Sequence, residues 1–242
     1  MKIQYVFLLF VVLSCQKQQH KNEVSVSTSK NKKETTLAKE NFLKTDTVQI
    51  SEEDENSGSN FILAHLLDQK ADKDSIVTAK YQLDFYQNKN KIASSKVTIE
   101  NCQKGSDWMA SYGLTSENDK NSPFIKLDFG YPACGYTHEN YLYYLKNNTL
   151  QLVYQWDAMS DSGWGSWVEF TNTNAKSNPD SFYCKRVALE PEDDNEDMAI
   201  VKYSDSIGFE LKNDRWTNKL LSAKEKPYFE KKVLFNEFYK EK

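Results

Sequence analysis

The chain has 242 residues, a formal net charge of −4 and an aromatic content of 13%. A protein so close to neutral lacks the strongly basic balance of a nucleic-acid-binding domain, so we expect no nucleic acid among its partners. The sequence contains no glycine-rich phosphate-binding loop, no GxSxG nucleophile motif and no CxxC pair. These absences remove the common signals of a bound cofactor, and we expect none.

Residues 1–15 read MKIQYVFLLFVVLSC. Lys2 precedes an apolar run from Tyr5 to Leu13, which is shorter than the ~20 residues that a membrane-spanning helix needs. A basic start, a short apolar segment and a small residue before a break indicate a secretory signal peptide over residues 1–14. An ordinary cleaved signal peptide would have the same features, and Cys15 would then follow it by chance.

The end of this segment, Val12-Leu13-Ser14-Cys15, resembles the lipobox of bacterial lipoproteins. The resemblance implies that the signal is cut before Cys15, that Cys15 is lipidated, and that the acyl chains tether the protein to a membrane. Gln16 stands where an aspartate would imply retention in the inner membrane. The following residues are basic, unlike the acidic cluster of surface-exported lipoproteins in the Bacteroidota, so we expect the periplasmic face of the outer membrane.

The segment after Cys15 is poor in aromatic residues and rich in Lys, Ser, Thr, Glu and Asn as far as Gly58. Such a composition buries too little apolar surface to offset the chain entropy lost on folding. We therefore predict a disordered linker over residues 15–58, with a root-mean-square reach of ~35 Å.

Residues 59–242 are rich in aromatic side chains and are long enough for one domain with a sizeable core. Apolar and polar residues alternate from Val77 to Phe85, as in a half-buried strand. Lys146-Asn147-Asn148-Thr149 between two apolar runs predicts a tight hairpin, and Asn213-Asp214 predicts another turn. Phe61 to Leu67 and Tyr228 to Tyr239 fit a helix or a strand. We predict a mainly β domain, either an antiparallel β-sandwich or an open barrel.

Three cysteines remain in the predicted domain, at positions 102, 134 and 184. An oxidising compartment favours one disulfide, and we predict Cys134 with Cys184 because both stand in aromatic, strand-like surroundings. The alternative is three free thiols that pack as small apolar side chains.

The sequence offers few residues for catalysis or metal binding. His65 lies in an apolar run, and we expect it to be a hydrogen-bonded core or edge residue. Cys134 and His138 would be a thiolate–base pair or two metal ligands only if a turn brought them together, because an extended strand separates them by ~13 Å. The acidic run from Glu190 to Asp197 lacks the spaced ligands of a calcium loop. We predict no metal site, and we favour a non-enzymatic role while leaving enzyme activity open.

The stretch from Trp156 to Trp167 reads WDAMSDSGWGSW. We predict a turn from Asp157 to Gly163 and a strand from Trp164 to Phe170, with Trp164 and Trp167 on opposite faces. One of these two tryptophans should then reach the surface or a second layer. Asp157, Asp161, Trp164 and Trp167 are thus candidates for a ligand-binding rim, although aromatic stripes in strands more often serve packing.

These features together predict a membrane-tethered cell-envelope protein that binds a glycan, a peptide or another envelope protein. The alternatives are an envelope hydrolase whose acidic catalytic residues the sequence does not place, and a structural or toxin-neutralising lipoprotein.

Overall fold

The computed structural model describes residues 26–28, 41–50, 59–73, 75–115, 121–172 and 178–239. This part of the chain is built of strands, with one short helix near its C-terminal end. The strands are β1 (Val26–Thr28), β2 (Lys44–Gln49), β3 (Phe61–Ala71), β4 (Val77–Gln87), β5 (Asn90–Ile99), β6 (Asp107–Tyr112), β7 (Phe124–Gly130), β8 (Thr137–Lys146), β9 (Thr149–Asp161), β10 (Trp164–Thr171), β11 (Ser181–Glu192), β12 (Asn195–Lys212), β13 (Arg215–Leu220) and β14 (Phe229–Leu234), and the helix is α1 (Phe235–Phe238).

The strands form two antiparallel sheets. Sheet A has five strands in the order β1-β5-β4-β3-β2. Sheet B has nine strands, with the path β13-β12-β11-β10-β9-β8-β7-β6 and with β14 also paired to β12. Neither sheet closes on itself, so the predicted mainly β, antiparallel fold is confirmed, and the two sheets are consistent with a β-sandwich.

Tight turns connect neighbouring strands at the positions that the sequence predicts. Asn147 and Asn148 have φ values of 50° and 58°, and Asn213 and Asp214 have 50° and 60°. Asparagine and aspartate tolerate this left-handed backbone conformation, which two-residue hairpins need. The ambiguous segment near Phe61 is a strand, and the one near the C-terminus is a strand followed by a helical turn.

The main core lies between sheet A and strands β6 to β9 of sheet B. Ile62, Leu83 and Phe85 of sheet A are buried in it, as are Tyr141 and Tyr143 of β8. Each strand contributes every second side chain, which is the arrangement that alternating apolar residues produce.

The opposite face of β7 and β8 is also buried, because sheet B curls back on itself. Phe124 of β7 and Phe182 of β11 pack in a second cluster with Trp216 of β13. Gln151 of β9 fixes this return, since its amide donates to the carbonyl of Trp216 (2.8 Å) and accepts from the amide of Trp216 (2.9 Å). Strand β8 is therefore covered on both sides.

The predicted linker boundary at residue 58 is wrong. Strand β2 pairs with β3, and Val48 and Ile50 are buried in the main core. The alternation from Asp46 to Ile50 is that of an edge strand, so the folded domain begins before residue 59. The predicted signal peptide and Cys15 lie outside the described residues. The structure contains no helix with the length and apolarity to span a membrane within the part of the chain that it describes.

The predicted disulfide between Cys134 and Cys184 is also absent. Both residues are free thiols, as is Cys102. Cys184 points into the second cluster, whereas Cys134 is exposed in the connection between β7 and β8. Similar local sequence surroundings did not place the two side chains in one layer.

Candidate functional site

The tryptophan-rich stretch is a hairpin whose turn is much shorter than predicted. Strand β9 continues through Asp157 to Asp161, and only Ser162 and Gly163 form the turn, with φ values of 51° and 91°. Residues 157–159 stay extended because they pair with Thr137 to Glu139 of β8. The predicted turn from Asp157 to Gly163 is therefore wrong, while the strand that follows it is confirmed.

Trp164 and Trp167 both pack in a third cluster, so their predicted placement on opposite faces is wrong. Gly165 stands between them with a φ of 141°, which interrupts the regular alternation of the strand. Trp164 stacks on Phe235 of α1 with ring centroids 4.1 Å apart, and Trp167 contacts Phe238. The second layer that the sequence requires is α1 itself.

The four predicted rim residues do not converge on one point. Asp157 of β9 forms an ion pair with Arg186 of β11 (2.9 Å) and does not line the cleft. Asp161 lies beside Gly135 at the hairpin end. Trp164 is held under α1, and among the four only Trp167 lines the cleft between the β7–β8 connection and the β9–β10 hairpin.

This cavity is an open cleft of about 720 Å³ between the β7–β8 connection and the β9–β10 hairpin. Its volume falls in the range of ~300–1,000 Å³ that small-molecule sites occupy. Aromatic and apolar side chains form most of its wall, with a few polar groups among them. The lining includes Asp128, Tyr136, His138, Met159, Trp167 and Tyr239.

Three contacts fix the orientation of the aromatic wall. The indole Nε1 of Trp167 donates to Glu169 (3.1 Å), which holds the ring in one rotamer. Tyr136 packs against Tyr131 with centroids 4.8 Å apart. The hydroxyl of Tyr239 donates to the carbonyl of Gly163, so the segment after α1 closes one side of the cleft. The cleft is thus assembled from strands that are distant in sequence.

A histidine–aspartate pair forms the polar part of the wall. His138 Nδ1 lies 2.9 Å and 3.0 Å from the two carboxylate oxygens of Asp128, and Nε2 lies 2.9 Å from the carbonyl oxygen of Tyr131. A Cβ at Gly130 would stand 2.4 Å from the imidazole, so only glycine leaves room for the ring there. His138 therefore ties strand β7 to the loop that borders the cleft.

Both ring nitrogens of His138 lie within hydrogen-bond distance of protein oxygens, those of the Asp128 carboxyl group and the Tyr131 carbonyl. The imidazole is therefore held in the wall of the cleft by both of its nitrogens. Burial raises the pKa of Asp128, and the hydrogen bond and charge of His138 oppose that rise. Cys134 lines the same cleft, but the hydrogen-bond partners of His138 are Asp128 and Tyr131.

No group of three or more His, Cys, Asp or Glu side chains in the described segments is placed to hold a metal ion. Within this part of the chain, the acidic run of β11 and β12 forms a hairpin with a turn at Asp193-Asp194.

A second histidine–aspartate pair lies on the outer face of sheet A and is sealed. His65 Nδ1 is 2.8 Å from the Thr45 hydroxyl, and Nε2 is 3.4 Å from Asp84. Asp84 also accepts from Lys91 (2.6 Å) and Ser94 (2.7 Å). His65 and Asp84 are both buried, as expected for His65 from its apolar surroundings.

Sequence reasoning identified Trp167 and singled out His138, but it missed Asp128, Tyr136 and Tyr239. Asp128 looked like an ordinary solvent-facing position of an alternating strand, and Tyr239 lies more than 70 positions from Trp167 along the chain. Only the pairing of β7 with β8 and the return of α1 bring these residues together. No family model matches the chain, and no curated protein or solved structure is significantly similar to it.

Proposed function

We propose that this protein is a lipid-anchored, non-enzymatic binding module of the bacterial cell envelope, and that the cleft beside Trp167 holds its ligand. The observation that carries the proposal is the cleft itself, with an aromatic wall around a small number of oriented polar groups. Both ring nitrogens of the cleft histidine, His138, already have protein partners, which favours a structural role for this side chain over proton transfer to a ligand.

The lining favours a ligand with an apolar face and a few hydroxyl or amide groups, as in a glycan or a short peptide. Aromatic rings such as Trp167 and Tyr136 bind the apolar faces of sugars and of peptide side chains. Asn140, Ser160 and Ser166 supply polar groups to orient the ligand. A loop of an envelope protein presents the same chemistry as a peptide.

The binding half of the proposal is tested by screening glycan and peptide libraries against the protein and comparing two matched variants. Trp167→Ala removes a wall of the cleft, whereas Tyr183→Ala removes an exposed aromatic side chain that does not line it. We expect Trp167→Ala to weaken the selected ligand at least about tenfold, as for a central aromatic anchor. Equal affinities for the two variants would remove the cleft from the proposal.

Cys134 gives an independent readout, because it is exposed and lines the same cleft. A bound ligand should slow the reaction of Cys134 with a maleimide, and Cys184 should stay unreactive in both states because burial raises its pKa to about 12. Labelling of Cys134 that is indifferent to a saturating ligand would place the ligand elsewhere.

The anchoring half is tested at Cys15. Mass spectrometry of the protein from membranes should show acyl chains on Cys15, and Cys15→Ser should release the protein to the soluble fraction. Two or three chains give stable anchoring, since each buried methylene contributes ~0.8 kcal/mol. An unmodified Cys15 in membrane-free protein would refute the anchor and leave the cleft experiment standing.

The alternative is an envelope hydrolase with Asp128 as its acid, favoured by the raised pKa of this carboxyl in an open cleft. A turnover assay on cell-wall and polysaccharide substrates separates the two functions, because a binding module yields no product. Loss of product with Asp128→Asn would support the hydrolase.

A further inference from the structure

The outer face of strands β11 to β13 carries an apolar patch that no element among the described residues covers. Tyr183 of β11 is 44% exposed and Leu221, just after β13, is 53% exposed. A Cβ at Gly208 of β12 would lie 3.3 Å from Leu221 Cδ1 and 3.5 Å from Tyr183 Cε1. The two side chains therefore lie side by side over Gly208, where a larger residue would separate them.

The patch continues along β12 to β14. Tyr203 and Phe229 stack with ring centroids 4.7 Å apart, and Phe229 is 40% exposed. The ammonium of Lys185 lies 3.6 Å from the centroid of the Tyr203 ring, a cation–π distance. We call the three exposed side chains Tyr183, Leu221 and Phe229 the outer patch. Tyr203 is partly buried against the third cluster and forms the floor beside Phe229.

Basic residues surround the outer patch. Lys185, Lys219 and Lys231 each lie two positions from a patch residue on the same strand or its extension, and so on the same face of the sheet. Lys185 pairs with Glu169, whereas Lys219 and Lys231 add positive charge beside the outer patch. This part of the surface is thus basic, although the whole chain has a net charge of −4.

We propose that the outer patch docks the domain on the anionic surface of a lipid bilayer. An exposed apolar centre with a basic rim complements headgroups that carry phosphate above an apolar interior. The patch lies on a sheet face, which suits a planar partner better than a cleft would. The inference rests on the lipid anchor of the proposed function, because Cys15 precedes Val26 of β1, a strand of sheet A, by only 11 positions and an anchor there keeps the domain close to the membrane.

The test uses the Cys15→Ser protein, so that the acyl chains contribute nothing. We expect it to co-sediment with phosphatidylcholine vesicles containing phosphatidylglycerol, and much less with phosphatidylcholine alone. Lys219→Glu/Lys231→Glu should lower the partition coefficient at least about 25-fold, since each lysine near an anionic surface contributes about fivefold. Leu221→Asn should lower it without any change of charge.

The matched control is Lys80→Glu/Lys96→Glu, which reverses two exposed lysines on the outer face of sheet A. The control should keep most of the binding of the parent. Equal losses in the two double variants, or no binding of the parent to anionic vesicles, would overturn the proposal. Self-association through the outer patch in the absence of lipid would also overturn it, in favour of a second copy as the partner.

Failure here is separable from failure of the proposed function. Trp167→Ala should leave vesicle partition unchanged, and Lys219→Glu/Lys231→Glu should leave ligand binding in the cleft unchanged. Acylation of Cys15 is measured independently of both.

Discussion

The two histidine–aspartate pairs of this protein use the same residue types for different ends. In sheet A, His65 faces a carboxylate on one side and the Thr45 hydroxyl on the other. The hydroxyl is 2.8 Å from Nδ1, and Nε2 is 3.4 Å from Asp84, so both ring nitrogens face side chains. In sheet B, His138 faces the carboxyl group of Asp128 with one nitrogen and a backbone carbonyl with the other.

The surroundings of the two carboxylates differ as much as those of the two rings. Asp84 accepts hydrogen bonds from Lys91, Ser94 and Gln82, and its side chain is 6% exposed. The Asp128 side chain is 21% exposed and borders an open cleft, where it pairs with His138. A histidine–aspartate pair is a closed structural unit where its remaining groups are occupied, and a functional candidate where a cavity reaches it.

The largest expected effect comes from opening the closed unit. Asp84→Ala should destabilise the fold by ~3–5 kcal/mol, because it leaves the buried His65 and the Lys91 ammonium without their carboxylate. Each kcal/mol lowers the unfolding midpoint by ~2–4 °C at this size. Urea and thermal unfolding measure the loss.

Asp128→Ala is the matched comparison and should cost only ~1–2 kcal/mol, since water reaches this carboxylate and can replace it. Similar losses in the two variants would show that the cleft-side pair is as structural as the sealed one.

The next expected effect concerns α1, which packs over the third cluster on sheet B. Phe238 is buried against Trp167 in the third cluster. Phe238→Ala should therefore destabilise the fold by ~2–3 kcal/mol. This is less than the cost of truncating a phenylalanine in the centre of the core, because Phe238 lies at the edge. The variant should also weaken ligand binding, because Tyr239 follows directly in the wall of the cleft. Thermal unfolding and ligand titration are the measurements.

Tyr228→Ala provides the control for α1, since this tyrosine is half exposed and precedes β14. We expect a change within ~0.5 kcal/mol. A Phe238→Ala protein that melts like the parent would mean that α1 does not hold the cleft.

Local pattern was sufficient to predict some strands and turns, and this has a physical reason. The alternation from Val77 to Phe85 and the Asn147-Asn148 turn each depend on backbone geometry within a few residues. The site depends instead on which strands become neighbours. Asp128 meets His138 through the β7–β8 pairing, which no local property of Asp128 encodes.

Two wrong predictions show where local reading stops. Residues 157–161 contain small and acidic side chains typical of turns, yet pairing with β8 keeps them extended. The segment around β2 reads as a solvated linker, yet Val48 and Ile50 join the main core because β3 offers an edge. In both cases tertiary pairing overrides local propensity.

A smaller effect separates two tyrosines of the sealed core. Tyr141 and Tyr143 are both fully buried on one face of β8. The Tyr143 hydroxyl is 3.0 Å from Ser95, whereas that of Tyr141 has no hydrogen-bond partner among the described residues. Tyr143→Phe should cost ~1–2 kcal/mol because Ser95 loses its partner, and Tyr141→Phe should be neutral or stabilising by up to ~1 kcal/mol. Urea unfolding of both variants is the measurement, and a reversed order would contradict the hydrogen-bond assignment.

The smallest expected effect is a pH dependence of the stability that arises from Glu139 of β8. Burial raises the pKa of Glu139, as do the negative charges of Asp157 and Glu100, and only the hydrogen bond from Gln155 lowers it. The folded state therefore holds this proton more tightly than the unfolded state. The resulting stabilisation is complete below the ordinary glutamate pKa and is lost as the pH rises through the raised value.

Glu139→Gln should remove this dependence, because glutamine stays neutral throughout. Above the raised pKa the variant should be more stable than the parent, by less than about 1 kcal/mol since solvent screens the partly exposed carboxylate. Below the ordinary pKa the two proteins should have similar unfolding midpoints. Thermal unfolding from acid to neutral pH measures the gap, and Glu190→Gln, at an exposed position paired with Lys202, is the control. A difference in unfolding midpoint that widens towards acid pH would mean that the hydrogen bond from Gln155 outweighs burial. Glu139 would then stabilise the fold in its ionised form.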